Sequence, residues 1–236
     1  MQIDRNIYTT HYFLRYASDE WLTYASAAAT VFATGEFEFD KAVLEKAPTF
    51  RDIWLLRASA GGQAEVVRCL LEQGAEVNSK NRCEETSLFL SAKNGHKDMA
   101  MELLACDNVD VNLQNNRGCT ALLAAMMSKH EEIVVLLLRS KRADAKIQDS
   151  LGMTVLHYAA IGAISDSVIT MLLDNGADIN AKDYWAGTPF TWALGYRSVT
   201  ISRIKLLFKE NVEIEFFYRP WVSRSYRLNE IYGMGL

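Results

Sequence analysis

Thr154-Val-Leu-His-Tyr-Ala-Ala, residues 154–160, decides how the rest of the chain reads. A threonine just ahead of an apolar run can accept a backbone N–H at a helix start, and the run behind it is apolar enough to be buried. The same opening recurs as Thr86-Ser-Leu-Phe, Thr120-Ala-Leu-Leu and Thr188-Pro-Phe-Thr, so consecutive threonines stand 34 residues apart throughout. Counting back 33 residues from Thr86 reaches Ile53-Trp-Leu-Leu, a degenerate first copy. A second element keeps step: Gly74-Ala-Glu-Val-Asn, Asn108-Val-Asp-Val-Asn and Gly176-Ala-Asp-Ile-Asn. Between the two lies an apolar helix such as Glu65-Val-Val-Arg-Cys-Leu-Leu or Glu132-Ile-Val-Val-Leu-Leu-Leu. A period of this length marks an array of stacked units.

Each unit reads as helix, helix, then a projecting turn. Pro189 fits the first helical position, whose N–H has no partner in the helix. Gly74 and Gly176 follow the second helix, where a left-handed residue ends it at least cost. Asn78, Asn81, Asn115, Asp149 and Asp183 suit the turn that comes next. A single unit cannot bury its own apolar face, so stacking neighbours makes the core.

These residues resemble ankyrin repeats, whose signature is T-P-L-H-x-A. The resemblance covers roughly residues 49–215, with His157 the one copy keeping the histidine and Pro189 the one keeping the proline. It implies an all-α ankyrin-repeat solenoid of about five helix-pair repeats with projecting β-turn fingers and an N-terminal helical cap. The repeats divide at about 49–81, 82–115, 116–149, 150–183 and 184–215, with residues 1–48 before them and 216–236 after. It also implies that His157 bonds across its helix start, and that His96 and His130 take the position between helices. Where a glycine would end the second helix, the third copy has Lys141 or Arg142 and the second has Asp107 or a neighbour. The turn asparagine or its equivalent follows the threonine by 26 residues in copies two to four, against 25 in the first, which predicts a small insertion before the finger.

The ends differ from the repeats. Phe13, Tyr16, Ala17, Trp21, Tyr24 and Ala28 recur at helical spacing, predicting an amphipathic helix over residues 12–33. Asp40 suits the N-cap of a short helix through Lys46, ended near Pro48. Phe13-Leu-Arg-Tyr-Ala-Ser-Asp-Glu-Trp is similar to the segment ahead of the repeats in fungal NACHT–ankyrin proteins, although no G-x-x-x-x-G-K-[ST] phosphate loop occurs in this chain. Residues 184–236 hold 12 of the chain's 25 aromatic residues. The stretch Phe216-Phe-Tyr-Arg-Pro-Trp is expected either to fold over the last repeat or to offer a contact.

Composition closes off several functions. Of 236 residues, 50% are hydrophobic and 23% charged, which excludes a chain disordered throughout. A net charge of −4 lacks the basic excess of a nucleic-acid binder, and the clustered Arg139, Lys141, Arg142 and Lys146 read as a solvated helix end. The longest apolar runs, of 7 and 6 residues at 121–127 and 133–138, are far short of the ~20 a membrane span needs. With no basic-then-apolar leader visible, the expected compartment is cytoplasmic, with nuclear residence as an alternative. Cys69, Cys83, Cys106 and Cys119 have no zinc-type spacing and read as reduced thiols, so neither metal nor cofactor is expected.

No nucleophile elbow, H-E-x-x-H or nucleotide fingerprint is present. The expected function is a non-catalytic ankyrin scaffold that binds another protein through finger tips and the concave face of the first helices. The binding candidates are Arg117, Leu151, Met153, Tyr184 and Trp185 on the fingers, Tyr158, Trp192 and Tyr196 on first helices, and Trp221 in the tail. The alternative is an aromatic-lined pocket between repeats four and five and the tail. It would bind an apolar small molecule or do cyclase- or isomerase-like chemistry, with His157 and Asp183 as proton carriers.

Overall fold

The computed structural model describes residues 48–162, 164–195 and 200–207. The helices expected over 12–33 and 40–46, the tail 216–236, and with them Tyr196 and Trp221 lie outside the described residues.

Within the described residues the chain forms ten helices in five pairs. They are α1 (Pro48–Ala60) and α2 (Ala64–Glu72), α3 (Ser87–Asn94) and α4 (Lys97–Leu104), and α5 (Ala121–Met127) and α6 (Glu131–Arg139). The last two pairs are α7 (Val155–Ile161) with α8 (Asp166–Asp174), and α9 (Pro189–Gly195) with α10 (Ile201–Leu207). Each helix packs on its pair mate and on the same helix of the next pair, giving an inner layer α1-α3-α5-α7-α9 and an outer layer α2-α4-α6-α8-α10. This is the all-α solenoid expected from the 34-residue period. The one β-type pairing among the described residues is an isolated antiparallel bridge between Lys80 and Thr86.

The threonines act as the sequence predicts. Thr86 and Thr120 lie in extended backbone and accept the N–H of Phe89 and Leu123 through Oγ1, at 3.2 and 3.3 Å. Behind them Leu88, Leu122 and Leu156 are buried at equivalent places, as are Leu103, Leu137 and Leu172 in the outer layer. The core is therefore one continuous seam between the two layers. Ser87 opens α3 where the other repeats have Ala121, Val155 or Pro189, and its buried Oγ finds no hydrogen-bond partner among the described residues. A buried unsatisfied hydroxyl costs about 1–3 kcal/mol, and alanine is also the better helix former. Ser87→Ala should therefore raise the free energy of unfolding by roughly 1 kcal/mol in a denaturant titration.

Between the helices of the first three pairs, the chain turns on a left-handed residue: Gly62 at φ 72°, Gly95 at 81° and Lys129 at 63°. The glycines are also needed for space. A Cβ on Gly62 or Gly95 would stand 2.6 Å from the ring of His96 or His130 in the following repeat. Those rings continue the stack, with Nε2 of His96 at 3.0 Å from the Ala60 carbonyl and Nε2 of His130 at 3.2 Å from that of Lys93.

The missing glycine of the third repeat is replaced by two residues with separate jobs. Lys141 takes the left-handed backbone, at φ 57°. Arg142 sends its guanidinium into the end of α4, donating to the Leu104, Cys106, Asp107 and Val109 carbonyls. A cation at the negative end of the α4 dipole is favourable there. Arg142 is thus an inter-repeat clamp and not part of a solvated basic patch. Along the outer layer, Arg68–Glu102 at 2.7 Å, Lys97–Glu132 at 3.0 Å and Arg203–Asp166 at 3.1 Å join successive repeats.

Candidate functional site

The fingers are built alike from one acceptor each. Asn81, Asn115, Asp149 and Asp183 recur every 34 residues. In each, Oδ1 accepts the backbone N–H of residues two and four further on. The distances are 2.8 and 3.0 Å at Asn81, 2.9 and 2.9 Å at Asn115, 2.8 and 3.0 Å at Asp149, and 2.8 and 2.7 Å at Asp183. The third residue on is left-handed in every finger: Glu84, Gly118, Gly152 and Ala186. Such a turn has little freedom left, so its tip is preorganised.

Successive tips are stitched together through backbone. Asn116 N donates to the Cys83 carbonyl at 3.1 Å, Ser150 N to that of Arg117 at 2.9 Å, and Tyr184 N to that of Leu151 at 3.1 Å. The backbones come so close that a Cβ on Gly118 or Gly152 would lie 2.9 Å from Ser150 N or 2.8 Å from Tyr184 N. Side-chain amides add a parallel row, with Nε2 of Gln114 on the Gln148 carbonyl and Nε2 of Gln148 on the Lys182 carbonyl, both at 3.0 Å. Asn78 and Asn112 brace the approach to each finger by bonding the Asn108 and Arg142 carbonyls and the Asp110 and Asp144 N–H groups of the next repeat.

The expected binding residues divide sharply in this frame. Arg117 and Tyr184 are exposed, Tyr184 to 74%, while Leu151 and Trp185 are half-buried beside them. Met153, Tyr158 and Trp192 are buried, and the expectation that they face the groove is corrected. Met153 is the last finger residue and turns into the core. Tyr158 donates its hydroxyl to Oδ2 of Asp149 at 2.5 Å, and the Trp192 indole N–H donates to Oδ2 of Asp183 at 2.7 Å. Each carboxylate thus holds its own finger with one oxygen and an inner-helix aromatic with the other.

The signal for this pairing was in the sequence. Where the finger acceptor is aspartate, the residue nine positions on is Tyr158 or Trp192; where it is asparagine, that residue is Leu90 or Ala124. A buried carboxylate needs donors on both oxygens, and a ring O–H or N–H at that spacing supplies the second.

The two proposed proton carriers are equally committed. His157 is fully buried, with Nδ1 accepting the Thr154 N–H at 3.0 Å and Nε2 bonding the Gly187 carbonyl of the next finger at 3.1 Å. It closes the start of α7 and ties it to the fourth finger, as the resemblance implied. Asp183 spends its oxygens on Trp185 N, Gly187 N and Trp192 Nε1. Neither keeps an open position for a substrate proton. Burial lowers the His157 pKa, against the opposing pull of the Gly187 carbonyl and the Asp183 and Asp149 carboxylates.

A histidine lowered in the fold stabilises above its ordinary value and loses that contribution as pH falls. The unfolded chain takes the proton first, and the loss ends once the folded value is passed. Stability should therefore decline below about pH 6.5, with a slope of up to ~1.4 kcal/mol per pH unit from this residue. Denaturant midpoints across pH for the wild type and His157→Gln check this, the variant having the shallower acid limb.

Cys119 is buried, and burial together with the Asp149 charge pushes its thiol up to about 12, so it stays protonated and inert. Cys69 and Cys106 are also raised, first by burial. Among the described residues, no three His, Cys, Asp or Glu side chains converge as a metal site, and no helix is long and apolar enough to cross a membrane.

Comparison with known proteins agrees with this architecture. The chain is 45% identical over 47 residues to E3 ubiquitin-protein ligase XBAT33 of Arabidopsis thaliana, covering 20% of this chain and 9% of that protein. It is 40% identical over 47 residues, with the same shares covered, to the probable E3 ubiquitin-protein ligase XBOS33 of Oryza sativa subsp. japonica. The chain thus spans about a tenth of the length of these relatives. The family model described as ankyrin repeats (3 copies) matches residues 55–149, 108–183 and 124–217, which together run from within α1 through α10. The 34-residue period, the helix pairs and the stitched fingers all agree with that match, and the chain belongs to the ankyrin-repeat family.

Proposed function

We propose that this chain is a non-catalytic scaffold that grips another protein mainly with its finger tips, the first helices contributing only at their rims. The observation that carries the proposal is Tyr184, an aromatic exposed to 74% on a finger whose backbone is already fixed by Asp183 and by the Leu151 carbonyl. An exposed aromatic is the usual interface anchor, and one held rigid loses little entropy on binding. The inner helices offer less than the sequence suggests. Residues 121–126 of α5 and all of α7 are buried, leaving Ile53 and Arg57 on α1, Lys93 and Asn94 on α3 and Leu194 on α9 as exposed contributors.

The test is affinity capture on the full chain, comparing wild type with Tyr184→Ala and with Met101→Ala on the outer helix α4. Tyr184→Ala should change stability by less than ~0.5 kcal/mol, as surface substitutions do. It should weaken capture of the same partner by at least ~2 kcal/mol. Met101→Ala should leave capture unchanged. Loss through Met101 with Tyr184 indifferent would move the site to the outer layer.

A further inference from the structure

The fourth finger, which carries Tyr184, is tied to a titratable side chain. Gly187 closes this finger on Asp183, its N–H meeting Oδ1 at 2.7 Å and its carbonyl meeting the Asp183 N–H at 2.9 Å. The same carbonyl is bonded by Nε2 of His157 at 3.1 Å, from the inner helix of the preceding repeat. The places equivalent to His157 in the earlier repeats hold Leu56, Phe89 and Leu123, whose side chains have no donor to offer the fingers that follow them.

The ring has one protonation state that fits. Nδ1 accepts the Thr154 N–H at 3.0 Å, so the neutral ring carries its proton on Nε2 and donates it to Gly187. A second proton, on Nδ1, sets donor against donor at Thr154 and places a charge where the side chain is fully buried. The charges facing the ring are Asp183 of the fourth finger and Asp149 of the third. The packed helices α5 and α9 carry no titratable group, Asp166 of α8 pairs with Arg203, and Asp174 and Lys182 lie exposed. Burial outweighs the two carboxylates and holds His157 below its ordinary value. The proton is therefore taken most readily by a ring turned out to water, and turning out breaks the bond to Gly187.

Resting on the finger-tip reading above, we propose that His157 is a proton-sensitive latch on the partner-binding tip: acid draws the ring from its seat, the fourth finger loosens, and the partner held by Tyr184 is released. A tip held rigid loses less entropy on binding, so loosening it weakens the partner's hold without removing any contact residue. His157 is a positioning residue in this scheme and touches no partner itself.

The test is amide hydrogen exchange of the full chain at about pH 7 and about pH 5, corrected for the pH dependence of intrinsic exchange. The probes are the Trp185 and Gly187 N–H groups, held by Asp183, and the Leu151 and Met153 N–H groups, held by Asp149 in the same way. An open form with its histidine at the ordinary value gains population by up to ~25-fold over this range. The fourth-finger amides should lose protection severalfold, up to that limit, while the third-finger amides keep theirs. His157→Leu, which installs the residue of the preceding repeat, should leave the fourth finger poorly protected at both pH values and its exchange flat between them. Equal loss at both fingers, or a pH response that persists in His157→Leu, would trace the change to the carboxylates or to global unfolding and overturn the latch. This measurement needs no partner, so it fails separately from the finger-tip reading. The capture assay above, repeated at both pH values, reads the release. Binding should fall severalfold more for the wild type than for His157→Leu, and an equal fall in the two would overturn acid release. Capture indifferent to Tyr184→Ala would overturn the finger-tip reading, and acid release with it, whatever the exchange shows.

Discussion

Trp192→Ala is expected to lower the free energy of unfolding by about 3–5 kcal/mol, the range for emptying a buried aromatic site. Trp192 is 1% exposed and is among the largest fully buried side chains of the array. Two costs combine at this site. The inner layer loses a large apolar volume between α7 and α9. Oδ2 of Asp183 also loses the indole N–H that satisfies it at 2.7 Å, while its partner oxygen still has to hold the fourth finger. A carboxylate left short of donors in the core is costly in its own right. Equilibrium denaturation is the measurement, and a loss below about 1 kcal/mol would return Trp192 to the exposed groove. Trp192→Phe separates the two costs, because it keeps most of the volume and removes only the donor.

Leu137→Ala is expected to cost about 2–5 kcal/mol. Leu137 is fully buried on α6, at the centre of the outer layer, where α4 and α8 close on it from both sides. A central site in a solenoid has less room to collapse than an end site, because both neighbouring repeats are already seated. The cavity therefore persists, and its cost should lie well above that of a surface change. A denaturant titration that moved by less than roughly half a kcal/mol would mean that the helical register of the third repeat is wrong.

Much of the fold was legible because the period is carried by residues with separate physical duties. Threonine caps, left-handed glycines and buried leucines each recur at the same step, and agreement among them is hard to produce otherwise. What periodicity alone left open was which aromatic faces which way, the signal lying instead in the nine-residue spacing from Asp149 to Tyr158 and from Asp183 to Trp192. Tyr158 and Trp192 sit on inner helices, where amphipathic spacing alone allows either the groove or the core. Their direction is set by a long-range partner, the second oxygen of Asp149 or Asp183. Periodicity reports the face of a helix and says nothing of a finger folding back onto it. Arg142 is a similar case. Its neighbours Arg139, Lys141 and Lys146 suggest a basic patch, and only the packed array brings the α4 carbonyls to its guanidinium. The fingers were read correctly as turns, yet it is their stitching, tip to tip, that makes Tyr184 and Arg117 members of one surface.

Hydroxyl-radical footprinting of the full chain, alone and with a captured partner, tests the finger-tip claim most directly. It carries its own internal contrast. Tyr184, exposed to 74% at the fourth tip, and Met101, exposed to 50% on α4, are both open to oxidation in the free chain. The account predicts that the partner slows oxidation of Tyr184 severalfold and leaves Met101 unchanged. Protection of Met101 with Tyr184 oxidised as in the free chain would contradict it.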